Sequence, residues 1–138
     1  MEPTRPLPSP NPGTVEYWKA AREHRLALPR CLDCGKFHSY PRALCPHCRS
    51  ANLEWKTVSG KGAVYSYTEV FRPPSKAFTA ETPYIVAVIA LDEGPHLMTR
   101  LVTKDNASVH IGQRVTVAFE DRDEEISLPV FKVEEPRA

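Results

Sequence analysis

The sequence predicts a mainly β protein: an N-terminal helix, a metal-stapled ribbon, and a C-terminal five- to six-stranded barrel. Three observations carry this. All four cysteines fall in one short stretch, as the pairs Cys31-x-x-Cys34 and Cys45-x-x-Cys48. Beyond residue 52, short runs rich in β-branched and aromatic residues alternate with turn signals and leave little room for helices. Before the cysteines, Val15 to Leu26 contains neither Gly nor Pro. With 138 residues, 41% of them apolar and 25% charged, the chain suits one ordinary globular domain or a small core with a sub-domain. A formal net charge of +1 does not advertise a polyanion as its main partner.

Residues 1–13 form a proline-rich arm, with Pro3, Pro6, Pro8, Pro10 and Pro12 excluding helix and sheet. Residues 14–29 are the helical segment. Thr14 suits the N-cap, and Glu16 favours the positive end of the helix dipole. Trp18 is a large apolar group for so short a helix, and it either packs on the protein's own core or anchors another chain. The ribbon follows over residues 30–52, and residues 53–138 make the barrel.

Within the barrel, Leu53 to Val58 reads as a short strand, followed by a tight connection through Gly60 and Gly62. Ala63 to Phe71 is a strand with Tyr65, Tyr67, Glu69 and Phe71 on one face and Val64, Ser66, Thr68 and Val70 on the other. Tyr84 to Leu91 is almost continuously apolar, which predicts burial on both faces. Asp92 to Pro95 turns it, and Leu97 to Val102 returns antiparallel. Arg114 to Phe119 and Leu128 to Val133 complete the set. Charge separates along the chain, from +4 over residues 14–49 to −5 over residues 120–135, and solvated faces account for both.

The cysteines admit two chemistries. A redox Cys-x-x-Cys sits at a helix start within a βαβ setting. Here the surroundings are short and turn-like, with Pro46 inside the second pair. Zinc accounts for all four thiols at once, since two Cys-x-x-Cys turns close a tetrahedron. Gly35 suits the sharp bend of the first knuckle, and the ten-residue spacer is long enough for a two-stranded finger. His38 and His47 are left as surface histidines. A set of four cysteines leaves zinc no open position for water or substrate, so its role is to fold a segment too poor in apolar residues to fold alone.

Chemistry elsewhere is sparse. The sequence contains no phosphate-binding Gly-rich loop, His-Glu-x-x-His helix or Gly-x-Ser-x-Gly elbow. The expectation is a protein that is not an enzyme by itself. It has no run of 18 apolar residues and its N-terminus lacks the apolar core of a secretory signal, so the expected compartment is the cytoplasm, with no membrane span. Two binding classes stay open. One is a single-stranded nucleic-acid module with Tyr65, Tyr67 and Phe71 as stacking platforms, although those rings equally suit a barrel core. The other is an accessory subunit whose ribbon and helix dock on an enzyme.

Several segments in order carry a resemblance: "YWKAAREHRL", "CLDCGKFHSYPRALCPHC", "LEWKTVSGKGAVYSYT", "FRPP", "PYIVAVIALDEGPHLMTRLV", "IGQRVTVAFED" and "LPVFK". Together, over roughly residues 14–133, the chain resembles the zinc-ribbon plus OB-fold family of acyl-CoA metabolism, long catalogued as a domain of unknown function. The resemblance implies a rubredoxin-like ribbon holding one structural Zn²⁺ on Cys31, Cys34, Cys45 and Cys48, and a C-terminal OB-fold barrel. It implies a thiolase-superfamily partner that transfers, condenses or cleaves acyl-CoA thioesters, including aldolases acting on steroid-CoA side chains. Some members also assemble with enoyl-CoA hydratase-like proteins. On that basis Tyr17, Trp18, Phe71, Arg72 and Pro73 are candidate partner contacts, and Arg42 and Arg49 are candidates for the CoA phosphates.

Overall fold

The computed structural model describes residues 8–72, 76–77, 82–122 and 126–134. Helix α1 spans Val15–Arg22 and buries Ala20 and Ala21. The Asn11 side chain accepts from Gly13 and Thr14 and sets the turn that leads into it, while Thr14 makes no side-chain cap. The helix is one turn shorter than the sequence pattern predicts. His24 takes a left-handed φ of 60°, and the Arg25 N–H bonds back to Ala20 O at 2.8 Å, which ends the helix. Leu26 is therefore outside the helix, free to enter the core.

The next element corrects the sequence reading. Ala27–Cys31 is a strand, β1, whose first three residues fall in the segment read as helical and whose last two open the ribbon. It pairs antiparallel with β2 (Leu53–Thr57), from Ala27 opposite Thr57 to Cys31 opposite Leu53. The ribbon's sheet is thus built from the two segments flanking the cysteines. Between the knuckles the described residues show only the bridge Arg30–Phe37, not the two-stranded finger expected of the spacer. The cause is reach: β2 closes on β1 from beyond both knuckles, a pairing that local propensity cannot report.

Strands β3 (Lys61–Val70), β4 (Tyr84–Leu91), β5 (His96–Val102), β6 (Arg114–Asp121) and β7 (Ser127–Val133) close a barrel in the order β3-β4-β5-β7-β6. This five-stranded barrel is the OB-fold arrangement. Two contacts that close it are short. β3 meets β6 only over Lys61–Ala63, and β5 runs parallel to β7 only at Leu101 and Val102. A bulge between Val64 and Ser66 shifts β3 by one residue and turns Ser66 outward opposite Val88. This breaks the simple alternation read along the strand.

One core serves both parts of the molecule. Leu26 and Leu28, from the approach to β1 and from β1 itself, join Val58, Val64, Ile85, Ile89, Leu101, Val115 and Phe131 in a single buried cluster. β4 is buried on alternate residues only: Ile85, Ala87, Ile89 and Leu91 point inward, while Tyr84, Val86, Val88 and Ala90 stay partly exposed. The expected burial on both faces is not met within this chain. Polar contacts fasten the ribbon and the barrel together. The Ser39 hydroxyl donates to His96 O at 2.5 Å, and the Ser59 N–H to Glu93 Oε2 at 2.8 Å. At the other side, Asp121 accepts from Ser127 at 2.5 Å and meets His24 at 2.8 Å and Arg22 at 3.5 Å. The basic and acidic ends of the sequence come together there.

Candidate metal centre

The two Cys-x-x-Cys turns repeat one backbone design. The Cys31 N–H donates to Lys36 O and the Cys45 N–H to Ser50 O, while Gly35 N bonds Cys31 O and Arg49 N bonds Cys45 O at 2.8 and 2.9 Å. Each knuckle then needs a left-handed residue at the same place. Gly35 supplies it with φ 76°, and Arg49 does so with φ 66°. Asp33 ties the knuckles to each other by accepting from the Ser50 hydroxyl, and Ser50 in turn accepts from Asn52 N at 3.0 Å.

These turns bring all four sulfurs within 4.8 Å of one another. Cys31 and Cys48 approach to 3.5 Å and Cys34 and Cys45 to 3.7 Å, well beyond a sulfur–sulfur bond. A tetrahedron with zinc–sulfur bonds of about 2.3 Å has edges of about 3.8 Å, so the spacing fits that ion. The N–H groups of Cys34 and His47 point at the Cys31 and Cys45 sulfurs, at 3.5 and 3.3 Å. The Cys34 N–H draws the Cys31 thiol down to about 7. Cys48 goes the other way: the Ser50 N–H favours its thiolate, but the crowding sulfurs and desolvation push it up to about 12. Thiols this close cannot all ionise unless a cation lies among them, which is the condition Zn²⁺ meets. Four sulfur donors would leave such an ion closed to substrate.

His38 is not a surface residue. It is 6% exposed, neither ring nitrogen has a hydrogen-bond partner, and it lines a cleft of about 520 Å³ between the ribbon and the β4–β5 turn. Burial holds its imidazole below the ordinary value, with His47 and Arg42 adding to the effect. His47 is exposed, as expected, with Nε2 3.4 Å from Phe37 O.

The remaining candidates are dispersed. Tyr17 and Trp18 meet edge to face and line a cleft of about 340 Å³ with Tyr84, Met98, Arg100 and Pro129. Burial, with Tyr40 nearby, pushes the Tyr17 phenol up to about 12. Phe71 and Arg72 are exposed at the end of β3, and Pro73 lies outside the described residues. Arg42 lines a separate cleft with Pro29, Pro41 and Trp55, and Arg49 stands exposed on the second knuckle. Tyr65 and Phe71, 57% and 68% exposed, are not core residues, and Tyr67 is 39% exposed on the same strand. Sequence reasoning passed over Ser39, Asp33 and the outward residues of β4 and β5. For the strands the signal was present: β4 is apolar at positions that one chain does not bury.

A zinc ribbon whose flanks form a sheet, set on a small closed barrel, defines the class: a ribbon–OB protein with one structural zinc. Family models match both parts, the ChsH2 rubredoxin-like zinc ribbon domain over residues 18–54 and the ChsH2 C-terminal OB-fold domain over residues 55–120. A DUF35 domain-containing scaffold protein of Methanothermobacter thermautotrophicus is 35% identical over 81% of this chain and 85% of its own. The chain belongs to this ChsH2/DUF35 family. A solved structure described as "Ltp2-ChsH2(DUF35) aldolase" is 36% identical, with a TM-score of 0.82, over 92% of this chain and 98% of that one. A probable enoyl-CoA hydratase alpha subunit of Thermomonospora curvata is 38% identical over 96% of this chain, which spans only 41% of that relative's length.

Proposed function

We propose that this protein is a non-catalytic accessory subunit of a thiolase-superfamily enzyme acting on acyl-CoA thioesters. The observation that carries the reading is the likeness to the ChsH2(DUF35) chain of an aldolase, which extends over nearly all of that chain. The family's scaffold proteins, of similar length, are consistent with it. So is the metal centre, where Cys31, Cys34, Cys45 and Cys48 would hold a zinc with no open position. In this reading the partner supplies the reacting groups, and this chain stabilises it and shapes access to its site. The cleft at Tyr17 and Trp18 and the exposed Phe71 and Arg72 are proposed contacts with the partner; Arg42 and Arg49 are proposed contacts with CoA phosphates. The hydratase-named relative adds an enoyl-CoA hydratase-like protein as a further proposed member of the assembly.

The test is affinity purification of the tagged chain from its host at moderate salt, with mass spectrometry of what stays bound and a zinc measurement on the eluate. The expected result is a stoichiometric thiolase-like protein and one zinc per chain. The variant Cys45→Ala should lose zinc and most of the complex while the partner keeps its own catalytic groups. Full zinc and an intact complex in that variant would count against the proposal. Recovery of nucleic acid that dissociates steeply with salt would instead make Tyr65 and Phe71 stacking residues.

A further inference from the structure

His38 is an imidazole buried with nothing for its ring to bond. Neither ring nitrogen has a hydrogen-bond partner. Such a group costs stability, and in a native fold it calls for an explanation, of which a bound ion or ligand is one. The residue lines the cleft of about 520 Å³ between the ribbon and the β4–β5 turn, a volume in the range of small-molecule sites. Histidine χ2 has two broad wells, so a half-turn exchanges each ring nitrogen with a carbon and turns a nitrogen toward the cleft.

The walls select the ligand. Phe37, Pro46 and Pro95 are apolar, and Lys36 brings an exposed ammonium. His47 lines the same cleft, and the charges that His38 senses, from His47 and Arg42, are positive. Neither Lys36 nor Arg42 has a carboxylate partner among the described residues. The carboxylate of the lining, Glu93, is turned to the connection before β3, where it accepts from the Ser59 N–H at 2.8 Å and the Ser59 hydroxyl at 3.3 Å. A metal ion is the other ligand an unpaired imidazole serves, but among the described residues only the four cysteines bring three or more metal donors together. Unpaired donors and positive charge in a partly apolar cleft are the chemistry that holds an oxyanion. We propose that this cleft binds a phosphate-class oxyanion, with the His38 ring N–H and the Lys36 ammonium as donors and Phe37, Pro46 and Pro95 as the bed for an organic substituent. The anion is free phosphate or the head of a phosphate ester, and the apolar walls favour the ester.

The experiment follows the His38 ring nitrogens by NMR in the full-length, zinc-loaded chain at constant ionic strength. Inorganic phosphate and phenyl phosphate are the two probes, and chloride is the blank. The expected result is a saturable shift with a Kd of about 1 mM or below for at least one probe. Tighter binding of phenyl phosphate supports the site as one for an ester, and equal binding supports it as one for free phosphate. His38→Leu, read on the Phe37 and Gly94 amides, should weaken binding about tenfold, and Lys36→Gln about threefold, with zinc content unchanged and a melting temperature no lower. Lys132→Gln, which removes the same charge from an exposed position on β7, should bind as the unaltered chain does. Should His38→Leu fail to fold, Lys36→Gln against Lys132→Gln decides alone. Shifts that rise without saturating, or that chloride reproduces, overturn the proposal. So does saturable binding that survives both cleft variants, or a loss in Lys132→Gln equal to that in Lys36→Gln, which would make net charge the cause.

Discussion

At the scale of single residues, His38 stands out among the described residues as a buried side chain with unpaired polar atoms. A buried imidazole with neither nitrogen paired costs about 1–3 kcal/mol relative to a satisfied one. Because burial lowers its folded-state pKa, the unfolded chain takes up a proton first as the pH falls. Its contribution to stability is therefore complete above the ordinary histidine value near 6.5 and is lost progressively below it. His38→Leu removes both the unpaired nitrogens and the proton uptake. It should leave the melting temperature at about pH 7.5 equal or higher and flatten the loss below about pH 6.5. Thermal melts across that range check it, and a variant that is less stable near neutral pH would show that the ring is needed as a polar group. Arg49 is the other instructive residue. It holds the left-handed bend that Gly35 holds in the first knuckle, so its backbone has a role before its charge does.

At the scale of elements, the connection from the ribbon to the barrel turns on Gly60. A Cβ there would sit 2.3 Å from Val117 Cγ1, and the residue's φ is 74°. The close approach lets the Val117 N–H reach Gly60 O at 2.7 Å and holds β6 beside the start of β3. Gly60→Ala combines a left-handed penalty with overpacking and should cost about 2–4 kcal/mol. Urea unfolding of the zinc-loaded chain checks this, and a change below about 0.5 kcal/mol would mean that β6 gives way freely. Most barrel strands were legible in the sequence, since Gly, Pro and Asp mark their ends and β-branched residues fill them. β1 was not. Ala27 to Pro29 belong to the segment read as helical and Arg30 and Cys31 to the ribbon, and only pairing with β2 makes the five residues one strand.

At the scale of the whole molecule, the ribbon and barrel share one core, because Leu26 and Leu28 are buried with Ile85, Ile89 and Phe131. Zinc binding in such a ribbon is worth about 10–16 kcal/mol, as much as the stability of a typical domain. Removing the metal should therefore lower the stability of the barrel along with that of the ribbon. Chelation is expected to release one zinc per chain and to shift a single melting transition downward. Calorimetry with a zinc-release dye checks it, and two separated transitions after chelation would mean that the ribbon and barrel melt independently. The Asp121 contacts with His24 and Arg22 also join α1 to β6, but these groups are about half exposed and add little to that coupling.

Local sequence was enough for the metal chemistry and most of the barrel. Paired cysteines at close spacing have few other uses, and period-two runs between turn residues are local signals. Three features came from the folded arrangement alone: that the ribbon's sheet comes from the flanks of the cysteines, that His38 is buried, and that Tyr65 and Met98 face outward. Each depends on segments distant along the chain meeting in one register. A one-residue shift at the Val64–Ser66 bulge changes which side chains reach the surface, and no local pattern records it.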